Sequence, residues 1–154
     1  MNYWLFKSEP NEFSIEALEK KPRKTEHWDG VRNYQARNFM RDEMRKGDLG
    51  FFYHSSCAEP GIVGIVKISK EAYPDHTAFD PADKHFDPKS DPQAPRWFMV
   101  NVTLVEKFSK PITLKTLKSY AERRVAEFRL LARGNRLSVM PIEEKHWQFI
   151  NSLR

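Results

Sequence analysis

The chain alternates between short apolar runs and amphipathic stretches, and the runs come first. "YWLF" at residues 3–6 is a compact aromatic run of the kind that forms a buried strand. In "SIEALEKK", Ile15 and Leu18 share one helical face, Ser14 stands where an N-cap belongs, and Pro22 stops the pattern. A second helix is predicted from Asn33, its cap, with Ala36, Phe39, Met40 and Met44 on one face and Gly47 as the C′ residue. Arg37, Arg41 and Arg45 recur four apart on its other side. "DLGFFYHS" and "GIVGIVKISKEAY" read as strands joined by the hairpin loop "SSCAEPG", and "RWFMVNVTLVEKF" as a long strand of period two. Residues 111–120 then read as a short helix opened by proline, and residues 122–134 as a further helix closed by Gly134. "RLSVM" is a last strand. Residues 141–153 form a terminal helix with Pro141 near its first turn and Ile142, His146, Phe149 and Leu153 on one face. Clustered strands with helices between and after them predict an α+β fold, a curled mixed sheet or small β-barrel.

Composition narrows the class. A chain of 154 residues with 40% apolar content is expected to be one globular domain over residues 1–154, and a monomer. Its formal charge of +5 raises the prior for a polyanionic partner. The single cysteine, Cys57, excludes an intrachain disulfide and zinc sites needing two thiolates, and suits a reducing compartment. The N-terminus lacks a signal-peptide pattern, and no run approaches the roughly 20 apolar residues of a membrane span. The expected location is cytoplasmic, or nuclear in a eukaryote.

The candidate chemistry concentrates in "HWDGVRNYQARNFMR". Trp28 lies beside an Asp-Gly turn in a polar stretch, so it is either a core residue or the wall of a pocket for a flat ring. Asn33 caps a helix, yet its amide can also donate to and accept from a base edge. The run His54, Ser55, Ser56, Cys57 invites a catalytic reading. Neighbours on a strand point to opposite faces, however, and no third group is evident to orient a base. His76, Asp80, Asp83, His85 and Asp87 share one loop without a recognised metal spacing, so neither metal nor cofactor is expected. That loop, "PDHTAFDPADKHFDPKSDPQAP", is too long for a casual turn, and long loops are often functional. Trp97, at the head of the long strand, is core or a second wall. Arg37, Arg41 and Arg136 are either solvated or in contact with phosphate.

Taken in order, "WLFKSEP", "WDGVRNYQARN", "GDLGFFYHS", "PGIVGI", "DPKS", "PRW" and "RLSVMP" resemble an EVE domain over nearly the whole chain. The resemblance implies a PUA-like fold, related to the YTH domains that hold a methylated adenine of RNA in an aromatic cage. It also implies a non-enzymatic reader of modified bases, notably modified cytosine in DNA. Carried onto this sequence, it implies a base pocket of Lys7, Ser8, Trp28, Asn33, Tyr34, Tyr53, Ser55, Ser56, Trp97, Leu137 and Ser138. It further implies a lid carrying Phe79, Phe86, Asp87 and Ser90. The expected partner is nucleic acid with a modified base, DNA ahead of RNA, with any effector on a separate chain. The rival readings are an enzyme of PUA-like fold acting on nucleic acid or a small amide, and a protein-interaction adaptor. The "GxKxxExR" signature of the related ASCH group does not occur.

Overall fold

A computed structural model describes residues 1–154. Six strands form one mixed sheet in the order β2-β5-β4-β3-β1-β6. They are β1 (Tyr3–Ser8), β2 (Thr25–His27), β3 (Leu49–His54), β4 (Gly61–Pro74), β5 (Phe98–Thr113) and β6 (Val139–Ile142). β1 runs parallel to β3, and every other pairing is antiparallel. The sheet does not close, since β2 and β6 remain its two edges. The curled mixed sheet expected from the sequence is present, and a closed barrel is not. β2 escaped the sequence reading: three residues, Thr-Glu-His, carry no apolar alternation, and only pairing with Asn101–Thr103 makes them a strand.

Helices α1 (Ile15–Glu19), α2 (Tyr34–Asn38), α3 (Leu114–Ser119) and α4 (Glu144–Asn151) flank the sheet. Ser14 and Asn33 cap α1 and α2, their side chains accepting from Ala17 N and Ala36 N at 3.0 and 2.9 Å. The two sheet faces are told apart by their aromatic partners. Phe6 and Phe52 meet Trp28 on one face, whereas Tyr3 and Phe51 stack on Trp147 of α4 on the other.

Four element expectations are corrected. The helix after Asn33 widens into a π-helical turn at Phe39–Glu43, where Met44 N donates to Phe39 O at 3.0 Å, and it ends there. Gly47 instead serves the tight turn before β3: its φ is +95° and its N–H reaches Ile68 O at 2.9 Å. Pro111 lies inside β5 where the β4–β5 register shifts, so its missing N–H breaks no ladder bond there and α3 begins only at Leu114. Residues 122–134 form successive turns and a short 3₁₀ segment, Arg129–Leu131, because Val125 and Phe128 are each driven into the core. Pro141 belongs to edge strand β6, opposite Trp4, where no donor is needed, and α4 starts at Glu144.

Candidate nucleic-acid interface

The site starts where β2 leaves the sheet. Trp28 N donates to Val100 O at 2.7 Å, extending the β2–β5 ladder by one residue. The chain then reverses at Gly30, whose φ of +79° is costly for any residue with a Cβ. An added Cβ there would stand 2.5–2.8 Å from the His85 ring, so the glycine also makes room for that imidazole. Gly30 N donates to Asp75 Oδ2 at 2.8 Å, and Arg32 Nη1 reaches the same oxygen at 3.0 Å. Arg32 also donates to His85 O (2.7 Å from Nη2) and to Thr77 Oγ1 (3.2 Å). Burial pushes the Asp75 carboxyl up, but bonds from Thr77, Gly30 and Arg32 outweigh it and hold the group below its ordinary value. One buried carboxylate and one arginine thus clamp the Trp28 turn to the long loop.

Between turn and loop lies an open cleft of about 840 Å³. Lys7, Ser8 and Glu9 line it at the end of β1, and Glu12 and Phe13 follow. Glu26, His27, Trp28 and Asp29 form a second side, and Ala82–His85 of the loop form the third. Trp28 is 7% exposed and sits edge-on to Phe6, Phe52 and Phe13, with ring centroids at 5.1, 5.5 and 6.1 Å. It is both core and cleft floor. Phe13 and Ala82 supply the other apolar lining, and the rest is polar.

The cleft holds five carboxylates against two lysines. Lys84 pairs with Glu12 across it, which lowers the Glu12 pKa. Partial burial pushes Lys7 down. Burial would raise Glu26, but Lys21 and the His27 N–H outweigh it and hold the carboxyl low. Asp29 lies between two imidazoles, 4.0 Å from His27 Nε2 and 3.7 Å from His85 Nδ1. Such a lining suits a neutral ring with N–H donors on its edge and repels a phosphate.

The structure gathers Lys7, Ser8 and Trp28 of the expected pocket and separates the others. Ser8 Oγ donates to Phe13 O at 2.6 Å, tightening the turn below the cleft. Asn33 and Leu137 line a second groove of about 480 Å³ with Arg129, Arg133 and Arg136, and the Asn33 side-chain oxygen is committed to its cap. Ser138 does not line the cleft; its carbonyl accepts from Lys7 N at 2.8 Å. Tyr53 has the strand parity of Phe51, away from Trp28, and burial pushes its phenol up to about 12. Ser55 N bonds Ser8 O at 3.0 Å and Ser56 is exposed with φ +52°; neither lines the cleft.

Tyr34 and Trp97 stack on each other at 4.8 Å, outside the cleft. Arg37 packs over Tyr34, while Arg41 pairs with Asp42. The long loop does wall the cleft, through Ala82–His85 rather than through Phe79, Phe86, Asp87 or Ser90. Asp87 accepts from Trp97 Nε1 at 2.7 Å, and Ser90 Oγ is buried without a partner. His54 Nε2 accepts from Ile15 N at 3.1 Å, so the imidazole is spent on starting α1. No three His, Cys, Asp or Glu side chains converge as metal ligands would, and no helix is long and apolar enough to cross a membrane. Arg32, Asp75, Glu12, Asp29 and His85 were missed as site residues by the sequence reading. The "DG" turn and the long loop, where His85 stood in a cluster weighed as metal ligands, were its pointers to them.

An open mixed sheet with this order and a cleft at the β1–β2 end defines a PUA-like domain. The chain belongs to the EVE domain family, whose model matches residues 2–153. It is 47% identical over 166 residues to mouse thymocyte nuclear protein 1, spanning 99% of this chain and 73% of that protein. Among solved structures it is similar to human THYN1 protein in complex with DNA containing 5-methylcytosine. There the TM-score is 0.94 at 45% identity, over 99% of this chain and 97% of that one. A Pseudomonas putida protein matches with TM-score 0.92 at 48% identity, over 98% of each chain.

Proposed function

We propose that this EVE domain is a non-enzymatic nucleic-acid-binding module that takes one modified base, a modified cytosine in DNA, into the Trp28 cleft. One observation carries the reading: an aromatic floor and apolar flank are ringed by carboxylates, in a chain whose net charge is positive. A cytosine presents a flat ring and an exocyclic amine, which Glu and Asp accept from. Phe13 and Ala82 are the groups available to a C5 methyl. Contact with the exposed part of Trp28 and with Phe13 contributes up to the roughly 1–3 kcal/mol that a base gains on an open ring. That offsets the few kcal/mol needed to extrude a base, least where the base is already unpaired. Lys7 and Ser8 line the cleft at the end of β1, while phosphates meet Arg37, Arg41 and Arg136 outside. The likeness to a protein solved with 5-methylcytosine DNA supports the same ligand class here. The domain over residues 1–154 acts as a monomer, in the nucleus or cytoplasm, and a separate chain is one source of its effector.

A binding array of matched DNA and RNA oligomers, each carrying one modified or unmodified base, tests this. The expected result is selective retention of modified cytosine in DNA. Uniform retention of every oligomer contradicts it, and turnover of any of them replaces it with an enzyme.

A further inference from the structure

We propose a second nucleotide subsite outside the cleft: the Tyr34 ring is a stacking platform for the base next to the one the cleft holds. This rests on the cleft reading above. Tyr34 is 52% exposed, yet it is not loose. It lies on Trp97 with centroids 4.8 Å apart and planes 22° from parallel. Trp97 is buried outside the main core cluster and pinned by its Nε1 bond to Asp87. The Arg37 guanidinium sits 4.7 Å from the Tyr34 ring and is itself anchored on Arg96 O at 2.8 Å. The sheet core does not use this assembly. What it achieves is a flat ring held still at the surface beside a cation. A ring already immobilised loses little entropy when a base stacks on it.

The platform and the cleft share one support. Arg32 bonds to His85 O, whose side chain walls the cleft, and its guanidinium lies 5.4 Å from the Trp97 ring. Two residues beyond His85, Asp87 holds Trp97. The two sites therefore share this loop and differ in charge. The cleft is rich in carboxylates, whereas Arg32 and Arg37 lie 5.4 and 5.9 Å from the Trp97 ring and Arg96 pairs with Asp87 beside it. A strand with one base in the cleft runs its phosphates over the arginine side, which brings a neighbouring base to Tyr34. The platform accepts any base, since every base has a π-face.

The test uses the full chain and single-stranded oligomers with one 5-methylcytosine, either intact or with an abasic site beside it on the 5′ or 3′ side. Wild-type affinity is expected to fall about five- to 150-fold when one of the two flanking bases is removed, the range that base–aromatic stacking supplies. Tyr34→Ala should lose the same factor on the intact oligomer and be indifferent to the abasic flank, and Tyr34→Phe should behave as wild type. Binding of free 5-methyldeoxycytidine should be the same in all three. Circular dichroism checks that each is folded. If Tyr34→Ala binds the intact oligomer as wild type does, or stays sensitive to the abasic flank, the platform is overturned while the cleft stands. If wild-type protein binds no methylated oligomer, the cleft reading falls and the platform with it.

Discussion

At the scale of single residues, Trp28 answers to two demands. Its ring packs against three phenylalanines at steep interplanar angles, and a sliver of it lines the cleft. Trp28→Ala should therefore cost about 3–5 kcal/mol of stability, as deleting a buried indole does. Trp28→Phe, which keeps most of the volume, is the variant suited to binding work. Gly30 is fixed by two independent constraints, its positive φ and the His85 ring against it. Gly30→Ala is expected to lower the melting temperature, at about 1–2 kcal/mol for the backbone alone. It should also weaken oligomer binding by displacing the His85 wall, and an unchanged melting curve would contradict the clamp. Trp28, Asn33 and the Asp-Gly turn were legible because each signal is local, an aromatic in a polar stretch, a cap and a turn dipeptide. Arg32 with Asp75 and His85 was not, because those contacts span 43 and 53 residues and no local pattern announces them.

At the scale of elements, the connection from β2 to α2 and the start of the long loop act as one unit around the Asp75 carboxylate. Asp75→Ala leaves the Gly30 N–H and the Arg32 guanidinium without their acceptor. Breaking such a pair is expected to cost about 3 kcal/mol, measured by denaturant titration. Helix α1 depends on an imidazole, since His54 Nε2 must be unprotonated to accept from Ile15 N. Burial lowers the His54 pKa, and it lowers that of His146 beneath the Phe128 turn. Both are thus lower folded than unfolded. Above the ordinary imidazole value near 6.5 neither state carries the extra proton. As pH falls below it, the unfolded chain binds protons first and stability declines until the folded values are passed. Chemical denaturation midpoints should drop from pH 7 to pH 5.5, and His54→Gln should flatten part of that drop; a profile level over this window would contradict it. Strong local patterns gave β1, β3, β4 and the start of α2 correctly. The stretch 122–134 has good helix formers throughout, but the burial of Val125 and Phe128 in successive turns overrode them.

At the scale of the whole molecule, charge is partitioned. The chain is positive overall, but its main cleft is acidic and its arginines lie outside it. Base and phosphate contacts are therefore separable. Affinity for a methylated oligomer should fall with salt by about 0.7–0.9 log units per decade for each phosphate contacted, and Arg37→Gln should reduce the slope by one such unit. Trp28→Phe should leave the slope alone. A salt-independent affinity would remove phosphates from the account. The overall class was legible because strand clustering and the ordered motifs run the length of the chain. The division between cleft and arginine surface was not, because it depends on which loop folds over which edge. The most direct test of the central claim is a titration of wild-type and Trp28→Phe protein with two DNA oligomers that differ by one C5 methyl. Burying a methyl gives about 0.8 kcal/mol, so wild type should bind the methylated strand about fourfold more tightly, and Trp28→Phe should weaken binding and shrink that ratio. Equal wild-type affinity for the two strands, or a folded Trp28→Phe variant with the full wild-type affinity and ratio, would contradict a modified-base cleft at Trp28.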